Sequence, residues 1–304
     1  MTDRRIDPWC VIDDVEPAYL ALARSGELAD RAEAGVAELA PCRVCPRDCD
    51  VDRLTDETGA CHTGRLAVVA SAIPHHGEED CLRGRNGSGT VFFGGCSLRC
   101  VFCQIWETSQ RAVGRESTAA EIADLMVRLQ ASGCHNVNLV TPGHVVPQVL
   151  EAVAVAVPRG LRLPLVYNAS GYDALRSLEL LDGVVDIYMT DVKFWAPATA
   201  RRLARVADYP ARMRAAVTEM HRQVGPLRFG SDGLARRGVL VRHLVMPGQQ
   251  AEAAAIMGWL AGDVSATSTR TSRTPRVDTP CATPRSFAAS SSRDVRASKG
   301  DVVP

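Results

Sequence analysis

Seven of the eleven cysteines fall into two tight groups. Cys96, Cys100 and Cys103 are spaced C-x3-C-x2-C, and Cys42, Cys45, Cys49 and Cys61 are spaced C-x2-C-x3-C-x11-C. Three close thiolates can hold three irons of a cubane cluster and leave the fourth open to a substrate. Four would fill the cubane, as in an electron-transfer ferredoxin. With one further ligand the triad can instead close a tetrahedral zinc site. The upstream four can close a structural zinc site or an auxiliary 4Fe–4S cluster, or stay unligated, and His62, His75 or His76 can replace one sulfur. In a reducing compartment such grouping reads as metal binding rather than disulfides. Cys10, Cys134 and Cys281 stand apart and read as ordinary thiols.

The elements that position these groups are legible in the apolar pattern. Two helical patterns open the chain, at 17–24 and 28–40, and a turn-rich, cysteine-rich segment follows over 41–89. Short strand patterns then recur at 90–93, 136–140, 165–168, 186–190 and 239–245. They alternate with helical patterns at 119–131, 147–157, 174–181, 198–224 (broken near 208–210) and 251–261. In the first of these helices Ile122, Leu125, Met126 and Leu129 share one face. Such alternation predicts an α/β fold with a parallel sheet. Five strands fit a partial, open barrel better than a closed one of eight. From 264 to 304 Ser, Thr, Arg and Pro dominate without apolar periodicity, which predicts a disordered tail. The expected division is 1–88 for the helical and cysteine-rich segment, 89–263 for the core and 264–304 for the tail.

The chain has 304 residues, 46% of them hydrophobic, and a formal net charge of zero. That is enough for a sizeable core and gives no bulk attraction to nucleic acid or membrane. No apolar run reaches the roughly 18 residues of a membrane span. The first fourteen residues carry charges and Pro8 but no signal-like apolar run. A soluble cytoplasmic protein is expected.

Gly94-Gly95-Cys96-Ser97-Leu98-Arg99-Cys100-Val101-Phe102-Cys103 follows directly on the 90–93 strand, and loops at such strand ends are where active-site groups sit. Its C-x3-C-x-aromatic-C pattern resembles the signature of the radical S-adenosylmethionine superfamily. The resemblance implies a 4Fe–4S cluster on Cys96, Cys100 and Cys103 whose open iron chelates the amino and carboxylate groups of S-adenosylmethionine. One electron then yields methionine and a 5′-deoxyadenosyl radical that abstracts a hydrogen atom, with Phe102 packing by the adenine. The longer runs 77–84, 87–96 and 102–110 resemble the uncharacterised proteins related to pyruvate formate-lyase-activating enzyme, over about residues 41–262. Ile105 and Gly143 depart from that branch, which usually carries Asn and Thr at these positions.

The resemblance implies a partial (β/α)6 barrel with site residues at later strand ends. Thr141 and His144, in Val-Thr-Pro-Gly-His, are candidates for cofactor or substrate contact. Asn168 and Ser170 can hydrogen-bond ribose hydroxyls or the methionyl carboxylate. Asp191 and Lys193, two apart on an extended chain, can share one face in the cofactor region. Arg242 can hold a carboxylate bidentately or anchor its loop. A helix start, a plain turn and a surface ion pair are the ordinary readings of His144, Asn168/Ser170 and Asp191/Lys193. By analogy with the family, the radical would go to a glycine of a protein substrate, with an electron donor such as ferredoxin or flavodoxin. The alternatives are a small molecule or another side chain as substrate, or a non-catalytic metal-binding or electron-transfer protein. The match stops at about Asp263. The place of a sixth strand holds Ser- and Thr-rich sequence, which leaves the barrel one strand short and the fifth strand with an open edge. A change of reading frame would account for the break.

Overall fold

The computed structural model describes residues 10–13, 15–264 and the backbone of 288–289. Apart from Val264 and that pair, the expected disordered tail lies outside the described residues. Among them, nine strands form one sheet: β1 (Ala67–His75), β2 (Ser88–Phe93), β3 (Arg115–Ser117), β4 (Val137–Val140), β5 (Leu165–Ala169), β6 (Ile187–Asp191), β7 (Arg228–Phe229), β8 (Ala235–His243) and β9 (Ala288–Ala289). The order is β3-β1-β2-β4-β5-β6-β8-β7, with β9 also on β8. Pairing from β2 through β4, β5 and β6 to β8 is parallel, and β1 and β3 extend the sheet antiparallel at the β2 edge.

The five parallel strands are those the apolar pattern predicts, except that β8 begins four residues earlier, at Ala235 rather than 239. β1 was not expected. Its sequence, Ala-Val-Val-Ala-Ser-Ala-Ile-Pro-His, shows no clean alternation and contains a proline, which strands tolerate near an edge or bulge. It carries the sheet across the expected boundary at 88/89, so the cysteine-rich segment contributes a strand to the core sheet.

The outer edge of β8 is not open along its length. β7 pairs antiparallel with it at Arg237 and Ala235, and β9 pairs in parallel at Arg242 and His243. A full sixth strand is absent among the described residues.

Helices cover one face of the sheet. Ala119–Ala131 starts on a capping box: Thr118 Oγ1 accepts from the Glu121 N–H, and Glu121 accepts from the Thr118 N–H at 2.8 Å. It buries Ile122, Ala123, Met126 and Leu129, while Leu125 is partly buried. Val146–Ala156 packs on Glu27–Ala37, where a Cβ on Gly35 would come within 3.3 Å of Leu150. The long helical pattern divides into Pro197–Ala204 and Tyr209–Val224, near the predicted break.

The opposite face of the sheet has its own small core. Leu82, Val166, Ile187, Met189 and Leu240 pack there, under the level of the strand ends. In the parallel register Val140 lies beside Asn168, and Asp191 beside Arg242. That register brings the candidate residues level at the C-terminal ends of the strands.

Candidate active site

The cluster loop leaves β2 at Gly94 and Gly95. Gly95 has a φ of +84°, and a Cβ there would collide with the Cys61 carbonyl. Cys96 is buried at 9% exposure, and Cys100 and Cys103 are half-buried. The Leu98 N–H donates to Cys96 Sγ at 3.3 Å, and Cys103 Sγ lies 3.1 Å from Ser109 Oγ. Gln110 Nε2 donates to the Cys100 carbonyl at 3.0 Å, and Arg99 Nη1 to the Gln110 carbonyl at 3.0 Å, so the helix Trp106–Arg111 that follows pins the loop. Phe102 meets Phe194 edge-on with ring centroids 6.1 Å apart.

Burial pushes the Cys96 thiol up to about 12, against the Leu98 N–H and the Lys193 cation, which act the other way. Burial also raises Cys100, again opposed by Lys193. Cys96 and Cys100 therefore keep their protons at neutral pH, and it takes a metal to draw them off. Three soft sulfur donors on one loop fit an iron–sulfur cluster. As folded, no three His, Cys, Asp or Glu side chains among the described residues stand at metal-ligand geometry. Final approach of the sulfurs belongs to metal loading, since binding and local folding are coupled.

Above the small inner core lies a charged set with no net charge. Lys193 Nζ is 2.5 Å from Asp191 Oδ2, and Arg242 Nε is 3.0 Å from Asp191 Oδ1. Arg242 also reaches Glu78 Oε1 at 3.3 Å and Asn168 Oδ1 at 2.8 Å. Glu78 Oε2 accepts from Asn138 Nδ2 at 2.8 Å and Asn168 Nδ2 at 3.3 Å. Burial opposes the charge on Asp191, but Lys193 and Arg242 outweigh it and hold its carboxyl below the usual range. Burial likewise opposes the Lys193 charge, and Asp191 and Cys100 together raise its pKa. The pair predicted to share a face does so, beside the cluster cysteines. Arg242 spreads its donors over two protein carboxylates and an amide instead of presenting a free fork.

The remaining predicted residues fall in two places. Thr141, at φ +59°, is a β-branched residue in the left-handed region, and its N–H donates to the Asn168 carbonyl at 2.9 Å. Such strain marks sites the surroundings over-determine. Ser170 joins the strand ends through its backbone, its carbonyl accepting from Tyr209 Oη at 2.8 Å. Tyr209 Oη also accepts from the Lys193 N–H at 2.9 Å. His144 is 1% exposed, and its Nε2 lies 2.9 Å from the Gly94 carbonyl. It holds the cluster loop from behind rather than facing the interior.

Burial, with the Arg53 cation next, lowers the His144 pKa to about 4. The unfolded chain takes the proton first, so His144 contributes stability that is complete above about pH 6.5 and is lost as pH falls toward 4. The loss amounts to about 3 kcal/mol for a shift of this size. We expect urea titrations to show this acid limb in the wild type and to lose it in His144→Gln. A stability difference between the two proteins that does not change from pH 7 to pH 4 would contradict the assignment.

Three site residues were missed in the sequence. Glu78 lay within the 77–84 run without a role. Asn138 had a signal, a lone amide inside the apolar run Val-Asn-Leu-Val, and its Oδ1 is buried without a donor. Tyr209 had none, because its contacts are to backbone atoms distant in sequence. Cys134 is a buried free thiol, whereas Cys10 is disulfide-bonded, which corrects its reading as an ordinary thiol. Cys281 lies outside the described residues.

This cysteine loop and strand-end arrangement coincides with a family match: the model of the radical SAM superfamily matches residues 90–257. The chain belongs to that superfamily, and membership implies a 4Fe–4S cluster and S-adenosylmethionine. It is also 30% identical over 213 residues to the "Uncharacterized protein MJ0674" of Methanocaldococcus jannaschii, covering 68% of this chain and 57% of that one. The chain thus spans little more than half the length of this relative. Among the described residues no helix is long and apolar enough to cross a membrane.

Proposed function

We propose that this chain cleaves S-adenosylmethionine reductively at a cluster on Cys96, Cys100 and Cys103 and directs the radical to a glycine of a protein partner. One observation carries the reading: Cys96, Cys100 and Phe102 pack in one cluster with Val192 and Phe194, the residues on either side of Lys193, which is ion-paired to Asp191. The thiolate loop and the polar strand ends thereby become one site. When bound, the cluster supplies the electron that divides S-adenosylmethionine into methionine and a 5′-deoxyadenosyl radical.

The protein's own groups bind, orient and exclude water. Lys193 offsets the negative charge of the thiolates. Asn138 Oδ1 offers an unpaired acceptor to a donor group of the cofactor. Asn168, Asp191, Arg242 and Glu78 hold one another rigid at the interior, and Phe102, on Phe194, offers a ring face to the adenine. The inner core of Leu82, Val166, Ile187, Met189 and Leu240 closes the floor against solvent. A partial (β/α)6 barrel built from β2, β4, β5, β6 and β8 is the architecture this reading implies.

A polypeptide substrate is favoured by the rim. Val101, Ile105 and Trp106, flanking the cluster cysteines, are 64%, 41% and 50% exposed. Exposed apolar groups around a polar interior suit a docked chain better than a small polar molecule. The electron would come from a ferredoxin or flavodoxin in the cytoplasm.

The test is electron paramagnetic resonance on the reduced, iron-loaded chain with S-adenosylmethionine and a glycyl-radical-type enzyme from the same genome. A doublet that collapses to a singlet when that enzyme's glycine carries deuterium on Cα supports the reading. Turnover of S-adenosylmethionine with no protein radical would remove the glycine assignment and leave the cleavage chemistry in place.

A further inference from the structure

Cys42, Cys45, Cys49 and Cys61 line one small enclosed cavity, together with Arg53 and Gly59. Cys42, Cys45 and Cys61 are each 6% exposed. The chain folds back to gather them: the Cys42 N–H donates to the Val51 carbonyl at 2.8 Å and the Asp50 N–H to the Cys42 carbonyl at 3.2 Å. A Cβ on Gly59 would sit 2.7 Å from Cys49 Sγ, so a glycine there lets the fourth sulfur in.

The charge of this cavity does not balance with neutral thiols. Arg53 is 1% exposed. It donates through Nε to the Gly64 carbonyl at 3.0 Å and through Nη1 to the His144 carbonyl at 2.8 Å, with Cys42 Sγ at 3.8 Å. Its Nη2 is buried without a partner. Asp48, the acid among the lining residues, is taken by Arg176 at 3.0 Å. A buried guanidinium without an anion is costly. Four thiolates on a metal carry net negative charge and would answer it.

We propose that Cys42, Cys45, Cys49 and Cys61 form a closed tetrathiolate metal centre, with Arg53 as its counter-charge, that braces the loop carrying Cys96. Four cysteines saturate either a tetrahedral zinc or the corners of a 4Fe–4S cube, leaving no open position. Neither takes a substrate on the metal, and the contacts of this segment point to a positional role. The brace is visible in the contacts between the two cysteine segments. Arg47 Nε donates to the Ser97 carbonyl at 2.7 Å, and Arg99 Nη2 to the Ala60 carbonyl at 2.8 Å. The Cys61 carbonyl packs on Gly95, and Arg53 holds His144, which in turn holds Gly94. The brace rests on the radical-site reading above, whereas the centre itself does not.

The experiment uses the full chain with Cys96→Ala, Cys100→Ala and Cys103→Ala combined, purified without oxygen and assayed for zinc, iron and acid-labile sulfide. About one zinc per folded chain, or about four irons with matching sulfide, supports the centre and names its metal. A folded chain with neither overturns it. If that variant does not fold, the reconstituted wild type decides: about four irons and nothing more overturns the proposal, while a further zinc or about four further irons upholds it. Arg53→Met should release the upstream metal to a chelator roughly 10-fold faster, the scale of outer-shell effects. An unchanged release rate removes Arg53 from the proposal.

Discussion

Replacing any one of Cys96, Cys100 and Cys103 by alanine is expected to lower 5′-deoxyadenosine formation by about four orders of magnitude, the scale seen when an essential catalytic group is removed. The three sulfurs come from one short loop, and nothing nearby substitutes for them. Ser109 is the closest polar neighbour of Cys103, at 3.1 Å, and a hydroxyl is a poor ligand for iron in a sulfur-bound cluster. The fold should survive each change. Gly94 and Gly95 are held from outside the loop by Val68 and Thr108, and Arg99 by Gln110 and Ala60. Iron content and 5′-deoxyadenosine should therefore fall together while far-ultraviolet circular dichroism stays unchanged. A variant that keeps both iron and turnover would take that cysteine out of the ligand set.

Arg242→Met is expected to destabilise the chain by about 3 kcal/mol, at the lower end of the cost of breaking a buried ion pair because the guanidinium is partly exposed. The side chain is 27% exposed and its partners Glu78 and Asp191 are 10% and 28% exposed. Asp191 keeps Lys193, but Glu78 is left with only the amides of Asn138 and Asn168. Most of the cost therefore comes from one carboxylate without a cation. It follows that Glu78→Gln combined with Arg242→Met should recover part of the loss, since removing both charges costs less than orphaning one. Urea unfolding of single and double variants measures this. Strictly additive losses would show that Glu78 and Arg242 are not coupled.

The sequence was most informative where chemistry and periodicity coincide. The cluster cysteines announce themselves by spacing, and the five parallel strands by short apolar runs alternating with helices. Asp191 and Lys193 could be placed on one face because two residues along a strand is one full pleat. What stayed hidden depends on contacts far apart in sequence. Glu78 reaches Arg242 across 164 residues, and Tyr209 ties Ser170 to Lys193 through backbone atoms that no side-chain pattern reports. His144 looked like a cofactor contact because it follows a strand end. Its burial behind Gly94 depends on how the cysteine-rich segment packs, which spacing alone does not encode. β1 was hidden by its composition, since a strand with proline and without alternation reads as loop.

The expectation is that the cysteine loop and the charged strand ends act as one site for reductive cleavage of S-adenosylmethionine. It is tested most directly by reconstituting the full chain with iron and sulfide under anaerobic conditions, reducing it with dithionite and adding S-adenosylmethionine. 5′-Deoxyadenosine and methionine should form in equal amounts, and both should be lost in Cys100→Ala. A fully iron-loaded, reduced and folded chain that forms neither product would contradict it.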